Sequence, residues 1–281
     1  MEKPHPTYGY MKVTEHKQIA QQWEKYKGFT IRPLPSTQAF YQSVVERYSV
    51  TGDPVMVHGG TPEVRNAILD AGERKTTLVD RSLTMVHAMG LLVADGKPLQ
   101  PTETAVEGQW LKLPVADNSQ QVVLGDDAVN MVSWPEFPQF MDEAHRVLKD
   151  GGVYGCHLLV QPMDAFRGQP IEEVVAEYAN KRIPSLEDYA SRVNFAFYDE
   201  DTYKMGWQQS IKGLREALGD KRIKNDHGFI QRFAECGSVF ACPPQKDFEK
   251  LVAPKFKVLD VFYPTEHDYS AFEPLYVLQK K

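Results

Sequence analysis

The run Val55-Met56-Val57-His58-Gly59-Gly60-Thr61-Pro62-Glu63, followed by Leu78-Val79-Asp80-Arg81-Ser82, restricts the fold more than any other part of the chain. A β-branched segment runs into a glycine pair, Pro62 marks a first helical turn, and Asp80 closes the next short apolar segment. The interval of about 20 residues between glycine turn and carboxylate is that of a nucleotide-binding βαβ unit, whose acidic residue takes the hydroxyls of a ribose. Only two glycines are present, so the turn alone makes the chain a candidate binder of an adenosine-bearing ligand and no more.

From Asp53 onward the pattern predicts alternating strands and helices. Val55–His58 is a strand, and Pro62 opens a helix to Ala71. Thr76–Asp80 is the second strand, and Ser82 caps a helix to Leu92. Trp110–Leu113 reads as a short third strand and Gln121–Gly125 as the fourth. A helix from Pro135 to Leu148 is expected to stop at Lys149-Asp150-Gly151-Gly152, before a fifth strand Val153–Val160. Phe256–Tyr263 and Leu275–Gln279 supply two more strands. Strands separated by such helices argue for a parallel sheet covered on both faces.

The flanking regions differ. Residues 1–50 read as an N-terminal helical arm or lid, with one helix from Thr14 to Lys27 and another capped by Ser36 and running to Tyr48, separated by Pro33-Leu34-Pro35. Residues 162–254 hold candidate helices at 171–181, 185–192, 201–218 and 228–235 and no convincing strand, and read as a helical insertion forming a substrate cap. The nucleotide-binding domain then comprises residues 51–161 and 255–281.

Composition narrows the function classes. The formal net charge is −6, which offers no basic groove for nucleic acid. Cys156, Cys236 and Cys242 have no metal-ligand spacing and cannot all pair, which points to a reduced, cytoplasmic compartment. No apolar run approaches the roughly 20 residues of a membrane span, and Met1-Glu2-Lys3-Pro4-His5-Pro6 does not read as a leader, so no membrane association is expected.

In an open α/β sheet, ligands bind outside the carboxyl ends of the strands. The residues there are His58-Gly59-Gly60-Thr61, Asp80-Arg81 and Gly125-Asp126-Asp127. Glycine lets backbone approach a ligand closely, free N–H groups at a helix start suit a carboxylate or phosphate, and Asp126 can meet an ammonium or sulfonium charge.

The order of segments resembles the class I S-adenosylmethionine (SAM)-dependent methyltransferases. The resemblance rests on residues 55–63 and 78–86, on Glu107-Gly108-Gln109-Trp110-Leu111-Lys112-Leu113-Pro114, on residues 121–132, and on His145-Arg146-Val147-Leu148-Lys149-Asp150-Gly151-Gly152. It implies a Rossmann-like, mostly parallel seven-stranded sheet with helices on both faces, and SAM as cofactor. By position it implies that Gly59-Gly60-Thr61 faces the methionine part and that Asp80 binds the ribose. Arg81 and Met85 would then flank the adenine, Gly108-Gln109-Trp110 would run along its edge, and Gly125-Asp126 would line the amino acid part. The chain departs from the family in three places. Val57 replaces an acidic residue, Thr61 and Glu63 stand where glycines are usual, and Gln109 replaces Asp.

Methyl transfer is an in-line displacement that needs proximity and alignment first, and a base only if the acceptor must lose a proton. Candidate bases are His58, Asp127, Tyr178, Tyr189 and Tyr10, while Asn130 could orient an amine or contact the sulfonium; no metal is required. His87 and His157 are assigned to structure. Tyr8, Tyr10, Trp134, Tyr178, Tyr189, Phe195 and Phe197 could form an aromatic lid, because ring faces attract cations, and the arm is expected to close over SAM.

Three functions stay open at this stage. The first is methylation of a small-molecule metabolite. The second is a different SAM chemistry, in which intramolecular displacement gives an azetidine carboxylate or a lyase-type product with methylthioadenosine. The third is a non-catalytic SAM-binding protein. Neither the acceptor nor the oligomeric state is readable.

Overall fold

The computed structural model describes residues 21, 23–29, 31–219, 233 and 237–281. Helix α1, Pro35–Tyr48, starts on Pro35, whose fixed φ suits a first turn; Leu34 is its N-cap, and Ser36, the expected cap, instead bonds Glu266 through its N–H and hydroxyl. Then come β1 Pro54–His58, α2 Pro62–Asp70, β2 Lys75–Asp80 and α3 Leu83–Leu92. Ser82 caps α3 as expected, its hydroxyl accepting the Met85 N–H at 3.2 Å. The series continues with β3 Glu103–Glu107, β4 Gln120–Asp126, α4 Phe137–Val147 and β5 Leu148–His157. In the insertion lie α5 Ile171–Ala179, α6 Leu186–Ala196, β6 Lys204–Gly206, α7 Trp207–Leu218 and β7 Val239–Ala241; α8 Gln245–Val252, β8 Phe256–Phe262 and β9 Leu275–Lys280 close the chain.

The main sheet has seven strands in the order β3-β2-β1-β4-β5-β9-β8. β1 pairs in parallel with β2 and β4, β2 with β3, and β4 with β5, while β9 runs antiparallel to both β5 and β8. Alternation along the strands builds two cores. Val55, Val57, Val122, Leu124, Val153 and Val277 join one face with α1 and α2 side chains such as Tyr41, Val44 and Ile68. Met56, Val123, Tyr154, Cys156 and Leu278 join the other with Phe137, Phe140, Phe248 and Val252 of α4 and α8. Period-two alternation across a sheet buried on both sides is what such runs of Val, Leu and Met require.

Four expectations change. The third strand is Glu103–Glu107, not Trp110–Leu113; as an edge strand it carries Glu and Thr, and the more apolar Trp110–Leu113 segment forms a turn closed by an isolated Gln109–Lys112 bridge. The helix α4 is not ended by the glycine pair: the chain extends directly at Leu148, and Gly151 sits inside β5 with φ +72°. The insertion contains a two-stranded antiparallel ribbon, β6 with β7, where no strand was expected. Finally, α8 packs into the main-sheet core through Phe248 and Val252 rather than into the cap. Of the expected helix 228–235 only Phe233 is described, and most of the expected first helix, with Tyr8 and Tyr10, lies outside the described residues.

Candidate active site

A cavity of about 450 Å³ opens at the carboxyl ends of β1, β2 and β4. Parallel pairing of β1 with β2 and β4 sets His58 level with Val79 and Gly125, so the glycine turn, Asp80 and Asp126 reach one rim. His58, Gly59, Gly60, Thr61, Asp80, Met85, Trp110, Asp126 and Asp127, each singled out in the sequence, all line it. Met89, Met131, Trp23, Tyr26 and Ile31, and Ser238 and Phe240 from the ribbon strand β7 and its approach, complete the wall.

Gly59 has φ +93°, a conformation that favours glycine, and its N–H is tied to the Val79 carbonyl at 2.8 Å. A Cβ there would point at Asp80 Oδ2 and Trp110, so the missing side chain keeps the turn open toward the Asp80 carboxylate. Asp80 Oδ1 accepts the Ser82 N–H at 2.8 Å. Burial raises the Asp80 pKa, with the Ser82 N–H and Arg81 pulling it back. Trp110 is held by its Nε1–H donating to the Val79 carbonyl at 2.7 Å, which sets its ring across the cavity edge.

His58 is 2% exposed and its ring nitrogens have no side-chain hydrogen-bond partner among the described residues. Its ring lies among Trp110, Phe140 and Tyr154, and burial lowers its pKa to about 3. The imidazole is therefore neutral at physiological pH.

At the β4 end the carboxylates form a buried network. Asp127, with φ +50°, places Oδ1 2.9 Å from His157 Nδ1; Asp126 Oδ1 lies 3.5 Å from the same nitrogen and 3.0 Å from the Tyr41 hydroxyl. That hydroxyl also accepts the His157 N–H at 3.1 Å. Glu273, fully buried, stands 3.8 Å from His157 Nε2. Burial would push the His157 pKa down, but the charge of Asp127, joined by Asp126, holds it well above the usual range. Burial raises Asp126 to about 6 against the pull of His157, and raises Glu273 well above the carboxylate range. One imidazolium thus serves two cavity carboxylates. His157, Tyr41 and Glu273 were not singled out as site residues because they come from β5, α1 and the approach to β9, far apart in sequence and joined only by the fold.

Several expected site residues stand elsewhere. Asn130 is fully buried and its amide is committed: Nδ2 donates to the Leu159 and Ala241 carbonyls at 2.7 Å each, and Oδ1 accepts the Leu159 N–H at 3.0 Å. It is a clip between the β4 exit, the chain after β5, and β7, with both amide donors committed to backbone. Tyr178 stacks on Tyr189 at 4.3 Å in the cap core, away from the cavity. Arg81 and Gln109 are exposed and do not line the cavity. Gly108 is explained by packing, since a Cβ would collide with Pro114, and Gly125 likewise, since a Cβ would collide with the Tyr154 hydroxyl. Tyr10 lies outside the described residues. Of the expected lid aromatics, Trp134, Phe195 and Phe197 pack in other clusters; Trp23, Tyr26 and Phe240 stand at the cavity instead.

The sheet order and the site at its carboxyl end define a Rossmann-like α/β protein. Residues 57–152 match the family described as a methyltransferase domain. Over those residues the chain is similar to a methyltransferase domain, which supports a transferase enzyme that uses SAM as cofactor. A search of curated sequences gives no match. Among solved structures, the CcbJ methyltransferase of Streptomyces caelestis is 14% identical over 96% of this chain and 99% of its own, with a TM-score of 0.57. The Burkholderia thailandensis 1,6-didemethyltoxoflavin-N1-methyltransferase, solved with 1,6-didemethyltoxoflavin and S-adenosylhomocysteine (SAH), is 8% identical over 98% and 93%, TM-score 0.52. A Rhodobacter sphaeroides protein assigned by name to the zinc-dependent alcohol dehydrogenases is 15% identical over 94% and 98%, TM-score 0.58. At these identities each likeness is one of fold. No described helix is long and apolar enough to cross a membrane.

Proposed function

We propose that the protein transfers a methyl group from SAM to a small molecule held between the glycine turn and the cap. The observation that carries this reading is a single cavity of about 450 Å³ reached by the ends of three adjacent parallel strands and walled by Phe240 and Trp23. That volume falls within the range of roughly 300–1,000 Å³ typical of small-molecule sites. The cavity fits the cofactor: the open glycine turn faces an Asp80 carboxylate with one oxygen free of the Ser82 N–H.

Gly59, Gly60 and Thr61, with the N–H groups that open α2, would hold the amino acid end. Asp80 would hold the ribose, Met85, Met89 and Trp110 the adenine, and Asp126 the ammonium. When bound, SAM supplies an electrophilic methyl on a sulfonium sulfur. The chain's task is to align an acceptor with that methyl and keep water out. Trp23, Tyr26, Met131 and Phe240 supply the apolar wall that does so.

The test is mass spectrometry of SAM incubated with the protein, with and without a metabolite extract. SAH formed only with extract, together with a metabolite heavier by one methylene, is the expected result. Methylthioadenosine formed without acceptor would overturn the reading, because SAM would then be the whole substrate.

A further inference from the structure

We propose that the acceptor is a basic amine, recognised by the Asp127 carboxylate on the cavity floor. This inference rests on the proposed function and narrows its substrate class. The charged residues lining the cavity, among the described residues, are Asp80, Asp126 and Asp127, and no lysine or arginine joins them. At the β4 end the His157 imidazolium is shared by Asp126 and Asp127 at 3.5 and 2.9 Å, while the exposed Arg81 acts on Asp80. Two carboxylates at that end share one positive charge. An incompletely compensated buried carboxylate is costly, and a cationic acceptor answers it.

Asp127 is the group placed to meet it. Its side chain is 6% exposed, and Oδ2 has no hydrogen-bond partner among the described residues. Its φ of +50° turns the residue out of the β4 line at the cavity edge. Asp126 differs, since the Tyr41 hydroxyl already occupies one of its oxygens at 3.0 Å. The aromatic rings of Trp23, Tyr26, Trp110 and Phe240 stand in the same cavity and attract a cation through their faces. His58, a neutral imidazole on the cavity wall, can accept the N–H of the amine once it is uncharged.

The chemistry balances without a base from the protein. The acceptor docks as the ammonium that Asp127 recognises and gives up its proton to solvent before it attacks. Its lone pair forms the N–C bond, the C–S bond breaks with the electron pair left on sulfur, and the positive charge passes from sulfur to nitrogen. Asp127 stabilises the cation that appears on nitrogen, and the methylated ammonium leaves with it.

The experiment uses the SAH-loaded full chain and two matched probes, 2-phenylethylamine and 2-phenylethanol, titrated while tryptophan fluorescence is followed. The amine is expected to bind about tenfold more tightly than the alcohol, as suits a charge-assisted contact. In Asp127→Asn, whose side chain also tolerates positive φ, the amine-to-alcohol ratio is expected to fall toward one. With labelled SAM, label should enter the amine and not the alcohol. Equal binding of the two probes, no binding of the amine, or an unchanged ratio in the variant would each overturn the proposal. So would Mn²⁺ or Zn²⁺ raising the Tm of the wild type but not of Asp127→Asn, since a metal would then answer the charge. Failure of SAH itself to bind would instead defeat the proposed function.

Discussion

Burial of His58 gives stability a pH dependence of defined sign. In the unfolded chain its pKa is near 6.5, and in the folded chain about 3, so on acidification the unfolded state takes up the proton first. Stability held above pH 6.5 is therefore lost as pH falls toward 3, at about 1.4 kcal/mol per unit. Asp126 acts oppositely: its folded pKa of about 6 exceeds the ordinary 3.8, so the folded state gains its proton first between those values. Asp126 thus offsets part of the His58 effect. His58→Leu removes one side of the balance, and relative to wild type it should gain about 2 kcal/mol between pH 7 and pH 5. Urea denaturation at the two pH values measures this, and an identical shift in both proteins would refute it. Asn130 presents a contrasting residue. Its place at the β4 exit made it a site candidate, but sequence position does not reveal that three backbone groups engage its amide. Asn130→Ala should cost about 2–4 kcal/mol by orphaning those groups. Asn130→Asp should cost more, because a carboxylate would face two carbonyl oxygens. Chemical denaturation checks both.

At the scale of elements, what was legible depended on periodicity and caps. The β-branched strands β1, β2 and β4 and the Ser82 cap were readable because burial on both faces and a capping hydroxyl leave local marks in sequence. The edge strand β3 was not, because half-exposed positions carry Glu and Thr, and neither was the three-residue ribbon, whose pairing joins residues far apart. Glu63, which departs from a glycine-rich turn, acquires a reason in the structure. Its carboxylate, 5% exposed, accepts from Arg32 Nε at 2.6 Å, and the Arg32 head also lies 3.4 Å from both Glu24 and Asp95. This pair fastens the segment bearing Trp23, Tyr26 and Ile31 to the first turn of α2. Arg32→Met should destabilise the fold by about 3–5 kcal/mol, because it strands a buried carboxylate. It should also weaken SAH binding, since the wall residues lose their tether. Arg32→Met with Glu63→Met should recover most of the stability, which denaturation of the two variants side by side would show.

Over the whole molecule, the sheet order decides which distant residues meet. Gly59, Asp80 and Asp126 were legible as a site because each ends a parallel strand, and the rule for open sheets gathers such ends. His157, Tyr41 and Glu273 were not, since no local pattern tells that α1 crosses behind β4 and β5 or that the approach to β9 brings a carboxylate to His157. The same holds for Phe240 and Trp23, which arrive from opposite ends of the chain to wall one cavity. A ligand filling that cavity therefore touches sheet, ribbon and N-terminal segment together, and its binding energy should tie them into one cooperative unit. At 100 times its Kd, SAH should stabilise the fold by about 2.7 kcal/mol. For a chain of this size that corresponds to roughly 5–10 °C in Tm. The protection should also be distributed: limited proteolysis within residues 23–31 and near 237–241 should slow in parallel with cleavage around the glycine turn. Protection confined to the glycine turn would mean that the wall residues do not close on the ligand, and the cavity's two far sides would then be neighbours without being part of the site.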